Sequence, residues 1–337
     1  MKTIVLEEPG RLQRTETEPP TGPGEGEVIV RVRQVGICGT DLHAFEGTQP
    51  FFSYPRILGH ELGVEVVEVG KGVVDVGPGD RAAVEPYLEC GECQACRRGR
   101  SNCCDRLKLI GVHVDGGMRE LIRVPAEKLH ISQSLELEQL ALVEMLAIGS
   151  HAVQRSGLME GETALVVGAG PIGLAVIEFA RLAGARVLAM ELDEHRQKLC
   201  REGFGVECVG GGEEGLAAVR EVLGGELPTV VFEATGSPAA METAFGYVAQ
   251  AGRLVLVGFV QADIRFHDPE FHRREMTLLS SRNALKEDFA RILPLLEGGQ
   301  IDAQAWITHR AGYGDVIERF STWLDPQERA LKVVLEM

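Results

Sequence analysis

Five cysteines fall within 15 residues, and Cys90, Cys93, Cys96 and Cys104 form a spaced set of four. Thiolates at that spacing can wrap one tetrahedral zinc ion and leave no position open, which makes the site structural rather than catalytic. The loop they span, Arg97-Arg98-Gly99-Arg100-Ser101-Asn102, is polar and turn-rich. It has little apolar surface of its own, so a bound metal would supply its order. Cys103 competes with Cys104 for the fourth place, and spacing does not separate them. An iron–sulfur cluster or disulfides are the other readings of four close cysteines.

A second set is dispersed. Cys38-Gly39-Thr40-Asp41-Leu42-His43 is followed by Gly59-His60-Glu61 and later by Glu144. A cysteine, an imidazole and a carboxylate around one ion with a position left open is a catalytic zinc arrangement. Taken singly, each piece is more often packing or surface.

The third set is Gly168-Ala169-Gly170-Pro171-Ile172-Gly173, a G-x-G-x-x-G run. It follows the apolar stretch Ala164 to Val167 and opens a helical pattern, the context that a dinucleotide site requires. Gly168 permits the tight turn, Gly170 lets backbone approach a pyrophosphate, and Gly173 allows helix and strand to pack closely. Pro171 and Ile172 begin the helix whose free N–H groups would meet the phosphates. Glu191 directly follows the strand pattern Arg186 to Met190; its carboxylate would accept from ribose hydroxyls and repel a 2′-phosphate, favouring NAD over NADP. Asp193 is the alternative acid, and Arg196 stands near enough to keep NADP in view. A βαβ turn that holds no cofactor is the plain alternative.

The elements that must position these residues fall into two kinds. Up to about residue 147 the chain reads as short strands with frequent turns, as at Pro19-Pro20 and Gly77-Pro78-Gly79-Asp80, which predicts a barrel-like or sandwich-like β-domain. Leu135 to Ser156 has helical spacing. Beyond it, the apolar runs Ala164–Val167, Arg186–Met190, Val230–Phe232 and Leu254–Val257 alternate with helical stretches, which predicts a parallel sheet covered on both faces. Phe45, Phe51, Phe52 and Tyr54 either fill the β-core or wall a pocket.

Composition narrows the partners. The 337 residues carry 34 Lys and Arg against 50 Asp and Glu, a net charge of −16. Such acidity disfavours nucleic-acid phosphate and anionic lipid. No stretch reads as a membrane span or a signal peptide, so the expectation is a cytoplasmic protein with a small-molecule substrate.

Read together and in order, Gly36-x-Cys38-Gly39-Thr40-Asp41-x-His43, Gly59-His60-Glu61, the four-cysteine lobe, Gly168-x-Gly170-x-x-Gly173 and Glu191 resemble the zinc-dependent medium-chain dehydrogenases, the alcohol and polyol dehydrogenases. The resemblance implies a GroES-like β-domain, residues 1–147 and 286–337, with a structural zinc lobe at about 85–106. A Rossmann NAD-binding domain, residues 148–285, is inserted in it. It implies two zinc ions per chain and NAD. Cys38 and His60 match the catalytic zinc ligands; Glu61 ligates directly or sits just behind. The run from Glu144 to Ala152 resembles the polyol-dehydrogenase stretch with a glutamate ligand, although Met145 stands where that group usually has proline. Thr40 matches the hydroxyl that takes the substrate's proton, and His43 the outer member of the relay to solvent.

The glutamate ligand and the segment Ser280-Ser281-Arg282-Asn283 resemble the polyol and sugar-acid branch, which implies oxidation of a secondary hydroxyl to a ketone. Arg56, Arg282 and Asn283 are the substrate candidates, an arginine pairing with a sugar-acid carboxylate; an intramolecular ion pair is the competing fate of either arginine. The other functions that fit less well are a simple-alcohol dehydrogenase, a zinc-free quinone reductase and a non-catalytic NAD-binding protein. Family members are usually dimers or tetramers joined through a sheet edge, for which Leu254 to Val257 is the expected strand.

Overall fold

The computed structural model describes every residue except Phe51. The chain divides into two compact units, Met1–Glu144 with Leu285–Met337, and Met145–Ala284.

The first unit opens with a hairpin of β1 (Lys2–Glu8) and β2 (Arg11–Glu16). The long strand β3 (Glu27–Ile37) buries Val28, Val30, Val32 and Val35 and leaves Arg31 and Arg33 half-buried. Next come α1 (Gly39–Glu46), β4 (Glu61–Val69), β5 (Arg81–Val84) and β6 (Tyr87–Leu88). A short α2 (Gln94–Arg97) leads to β7 (Lys108–Leu109), then β8 (Leu121–Pro125), β9 (Leu129–Ile131) and α3 (Leu137–Ala141). The helical spacing over 135–156 is realised as two helices rather than one. The chain turns at Leu142, whose N–H reaches Gln139, and α4 (Val143–Ser156) starts afresh. The first of the two is seated on β4 at Gly63, where any side chain would strike the Leu137 carbonyl at 2.1 Å.

The second unit continues α4 and alternates β10 (Thr163–Val167), α5 (Pro171–Leu182), β11 (Arg186–Met190), α6 (Glu194–Glu202), β12 (Glu207–Val209) and α7 (Gly215–Val222). It ends with β13 (Val230–Glu233), α8 (Pro238–Ala244), β14 (Arg253–Leu256), α9 (Asp268–Arg273) and β15 (Thr277–Ser280). The six strands form a parallel sheet in the order β12-β11-β10-β13-β14-β15. The order reverses at β10, and β10 is in register with both neighbours, Val167 opposite Met190 and Glu233. Gly168, Glu191 and Ala234 therefore leave the sheet side by side at the switch point, where doubly wound sheets bind ligands. The strand Leu254–Val257 is not the edge expected of it. It is hydrogen-bonded on both sides, to β13 and β15, and Leu254 and Val255 are fully buried. The edge on that side is β15.

The chain then returns to the first unit through α10 (Lys286–Glu297), β16 (Ile307–Gly312), α11 (Val316–Phe320) and β17 (Lys332–Glu336). β17 lies between β16 and β3 in a seven-stranded sheet, with Val334 opposite Gly36. Its core joins Ile4, Leu6, Val30, Leu62, Val64, Phe320 and Leu335. Phe45, Phe52 and Tyr54 pack against this core, with the Phe45 ring 5.2 Å from Phe320; Phe51 lies outside the described residues. Among the described residues no helix is long and apolar enough to cross a membrane.

Candidate active site

The dispersed residues meet in the first unit where β3 ends and β4 begins. Gly36 and Glu61 are paired across the two strands, so Cys38, just past β3, stands beside His60 and Glu61. One donor atom from each of the three lies within 4.8 Å of the others. Two glycines make the approach feasible. A Cβ on Gly36 would sit 2.1 Å from Glu61 Oε2, and Gly59, at φ +92°, holds a left-handed turn with Val35 tight against it. A thiolate, an imidazole and a carboxylate brought together in this way are a donor set that fits a zinc ion.

Asp41 ties this corner together. Its Oδ2 accepts from the Cys38 N–H at 2.9 Å, its Oδ1 accepts from the Gly59 N–H at 3.3 Å, and Oδ1 faces His60 Nδ1 at 3.9 Å. Burial raises the Asp41 pKa, with His60 opposing. The His60 pKa stands well above its ordinary value: burial lowers it, but Asp41 and Cys38 outweigh that. Glu61 is fully buried and receives the Lys332 ammonium on both oxygens, at 2.7 and 2.8 Å. Lys332 Nζ also donates to the Ile37 carbonyl. Burial pulls the Lys332 pKa down, and Glu61 and Cys38 more than restore it. Glu144, in the first turn of α4, stands beside this trio without being one of it. Burial raises its pKa, His60 lowers it, and the Tyr87 hydroxyl donates to its Oε1.

The four-cysteine lobe lies between β6 and β7, which pair through Tyr87–Leu109 and Leu88–Lys108. Cys90, Cys93, Cys96 and Cys104 converge, with Sγ separations of 3.4 Å for Cys93–Cys96 and 3.5 Å for Cys90–Cys104. Cys103 is exposed and outside the cluster. Backbone N–H groups of Glu92 and Cys93 pull the Cys90 thiol down to about 6, whereas burial and its sulfur neighbours push Cys96 up to about 12. A closed tetrahedron of sulfur fits a structural zinc.

In the second unit, a cavity of about 820 Å³ opens at the switch point, lined by Gly168, Gly170, Pro171, Glu191, Arg196 and Thr235 among others. Gly168 has φ +95°, and a Cβ on Gly173 would stand 1.9 Å from the Gly168 carbonyl oxygen, while one on Gly170 would meet nothing within 4 Å. Those are the three demands of a backbone wrapped round a pyrophosphate: a turn, a close approach and tight packing. Ile172 and Gly173 stand behind the lining. Glu191 accepts from the backbone N–H groups of Ala169, Leu192 and Asp193 at 2.7–3.1 Å, which fixes its carboxylate at the cavity wall. Asp193 does not line the cavity; it caps α6 by accepting from the Arg196 N–H.

Of the other candidates, Thr40 and His43 are three residues apart on α1, hence on one face; Thr40 is half-buried and His43 exposed. Arg56 takes the competing fate named for it: its guanidinium donates to Asp115 at 3.1 Å and to Ser53 at 2.9 Å. Arg282 is exposed, and Asn283 holds a left-handed backbone at φ +51°. Asp41, Tyr87 and Lys332 were given no role from sequence. Asp41 had a local signal, an acid three residues into a helix that begins at a ligand. Tyr87 and Lys332 had none, because their partners are 57 and 271 residues away.

A β-rich unit with a thiolate–imidazole–carboxylate cluster and a doubly wound unit with a glycine-lined cavity define an oxidoreductase of the alcohol dehydrogenase class. The family model of the alcohol dehydrogenase GroES-like domain matches residues 24–133, and that of the zinc-binding dehydrogenases matches residues 171–298. The chain belongs to the zinc-dependent medium-chain dehydrogenases. It is 39% identical over 321 residues to the L-galactonate-5-dehydrogenase of Escherichia coli (strain K12), covering 95% of this chain and 94% of that one. It is 33% identical to the 2-dehydro-3-deoxy-L-galactonate 5-dehydrogenase of Pseudoalteromonas atlantica, covering 93% and 92%. The crystal structure of a short chain alcohol dehydrogenase (rspB) from E. coli CFT073, complexed with the cofactor NADH, superposes with a TM-score of 0.93 at 30% identity over 100% of this chain and 99% of that one.

Proposed function

We propose that this protein is a zinc- and NAD-dependent dehydrogenase that oxidises a secondary hydroxyl of a sugar acid or polyol to a ketone. The observation that carries the reading is the convergence of Cys38, His60 and Glu61 in a chain that also has the glycine-lined cavity ending at Glu191. When bound, zinc supplies the Lewis acidity that lowers the pKa of a substrate hydroxyl, and NAD supplies the hydride acceptor. Cys38 and His60 hold the ion, with Glu61 and Glu144 as the carboxylates beside it. The four cysteines hold the second ion. Thr40 Oγ1 accepts the hydroxyl proton while passing its own hydrogen on towards His43, and the exposed His43 releases a proton to solvent. Glu191 receives the ribose hydroxyls and repels a 2′-phosphate, so NAD is preferred.

The sugar-acid branch is favoured by the two relatives named for galactonate derivatives. Arg56 is engaged by Asp115, and Arg282 and Asn283 remain the substrate candidates of this reading. The reading includes a cytoplasmic setting, where thiols stay reduced, and a homodimer or homotetramer. Its joining edge would be β15, an unpaired strand side that needs covering.

The test is an NAD-reduction screen of the zinc-loaded protein over simple alcohols, polyols, sugars and sugar acids, with metal content measured on the same sample. Two ions per chain and turnover of a sugar acid or polyol are expected. Two ions with turnover of simple alcohols alone would sink the substrate class. One ion or none would sink the catalytic site.

A further inference from the structure

Tyr87 has a phenolic hydroxyl in the interior of the first unit, and a buried phenol needs a partner. It donates to Glu144 Oε1, and the carboxylate is as buried as the phenol. A phenylalanine would fill the same volume; the hydroxyl is there for Glu144. We infer that Tyr87 is a positioning residue that holds Glu144 in place for the metal at Cys38 and His60. This rests on the zinc reading proposed above.

The surroundings of Tyr87 leave it little freedom. It lies in the stem of the four-cysteine lobe, paired with Leu109. Glu85 and Glu89 flank Tyr87 in the chain, two residues to either side. Lys128 bridges the two acids that flank Tyr87, at 2.6 Å to Glu85 and 2.6 Å to Glu89. Phe289, fully buried, meets the Tyr87 ring edge-on at 6.1 Å. Phe289 in turn stacks on His130 at 4.8 Å, and His130 Nε2 lies 3.3 Å from Glu85. The ring thus has an aromatic neighbour, and one ammonium ties the chain before and after it. A donor so fixed fixes its acceptor. With Oε1 taken by the phenol, Oε2 is assigned to the metal. Outer partners of this kind orient a ligand and typically change metal affinity 10- to 100-fold when removed.

The test compares wild type, Y87F, E144A and the double variant, each loaded with zinc and titrated with a competing chelator, and then with cobalt for its visible absorption. Circular dichroism and a full four-cysteine site establish folding. Wild type should hold two ions. Y87F should keep the four-cysteine ion, bind the second about 10- to 100-fold more weakly and shift its cobalt spectrum. In the E144A background Y87F should change neither quantity, because the acceptor is gone. If wild type holds two ions and Y87F binds the second with unchanged affinity and spectrum, the inference is overturned. It is equally overturned if the Y87F loss persists undiminished without Glu144. A wild type that takes up only one ion overturns the zinc reading itself, and this inference falls with it.

Discussion

Asp41 offers no atom to the converging trio, yet it fixes where two of its members stand. Its carboxylate holds the N–H of Cys38 and of Gly59, the residue before His60. D41N should leave the fold intact and weaken the second metal about 10- to 100-fold, read by chelator competition. Unchanged affinity would make Asp41 a helix-start residue and nothing more. Under the proposed function, Glu191 carries the cofactor preference. E191A should lower kcat/KM for NAD about 10- to 100-fold, the loss of one or two charge-assisted hydrogen bonds, and should narrow the gap between NAD and NADP. Equal losses for both cofactors would show that Glu191 serves only the loop of Ala169. The cysteines and the glycine run were legible from sequence because their geometry is local: 15 residues and 6 residues decide it. Lys332 was not, because nothing near it in the chain hints that β17 will bring an ammonium onto Glu61.

At the scale of elements, the strand and lobe around Tyr87 are kept together by charge buried in an apolar surrounding. Lys128, Glu85 and His130 are all buried. Breaking such a network by removing one partner costs about 3–5 kcal/mol, so K128M should lower the melting temperature by on the order of 10 °C. The pH dependence has a definite sign. Burial raises the Glu85 pKa, but His130 and Lys128 outweigh it and the carboxyl lies below its usual range. Its contribution is present above about pH 4.3 and is lost as the pH falls through the lowered value. The Lys128 pKa is raised by Glu85 and Glu89 against burial, so its contribution holds below about pH 10.4 and is lost only in strong alkali. Urea unfolding from pH 3 to 8 should show the difference between wild type and K128M shrinking below about pH 4. A constant difference would mean that Lys128 acts by packing alone. The helix expected over 135–156 shows why element boundaries were less legible than element types: its periodicity continues through Leu142, and the break comes from α3 docking on Gly63 of β4, which only the tertiary structure reveals.

For the molecule as a whole, the two kinds of secondary structure were readable from turn density and apolar runs, but strand order was not. Leu254 to Val257 is as apolar as an interior strand should be, and its place between β13 and β15 depends on where the chain crosses over. The free edge is β15, with Leu278 39% exposed. If that edge joins two copies, L278K should shift the protein towards monomer in light scattering, since lysine on an edge opposes pairing. An unaltered mass would place the junction elsewhere.

The position of β17 in the chain also has a consequence for biosynthesis. The four cysteines and the stem that holds them are made early, and the second unit is one contiguous segment. Glu61 and its ammonium are 271 residues apart, which at about 5–20 residues per second is roughly 14–54 s of translation. On the ribosome the four-cysteine lobe and its stem can be complete while Glu61 still lacks its counter-charge, which arrives only with β17.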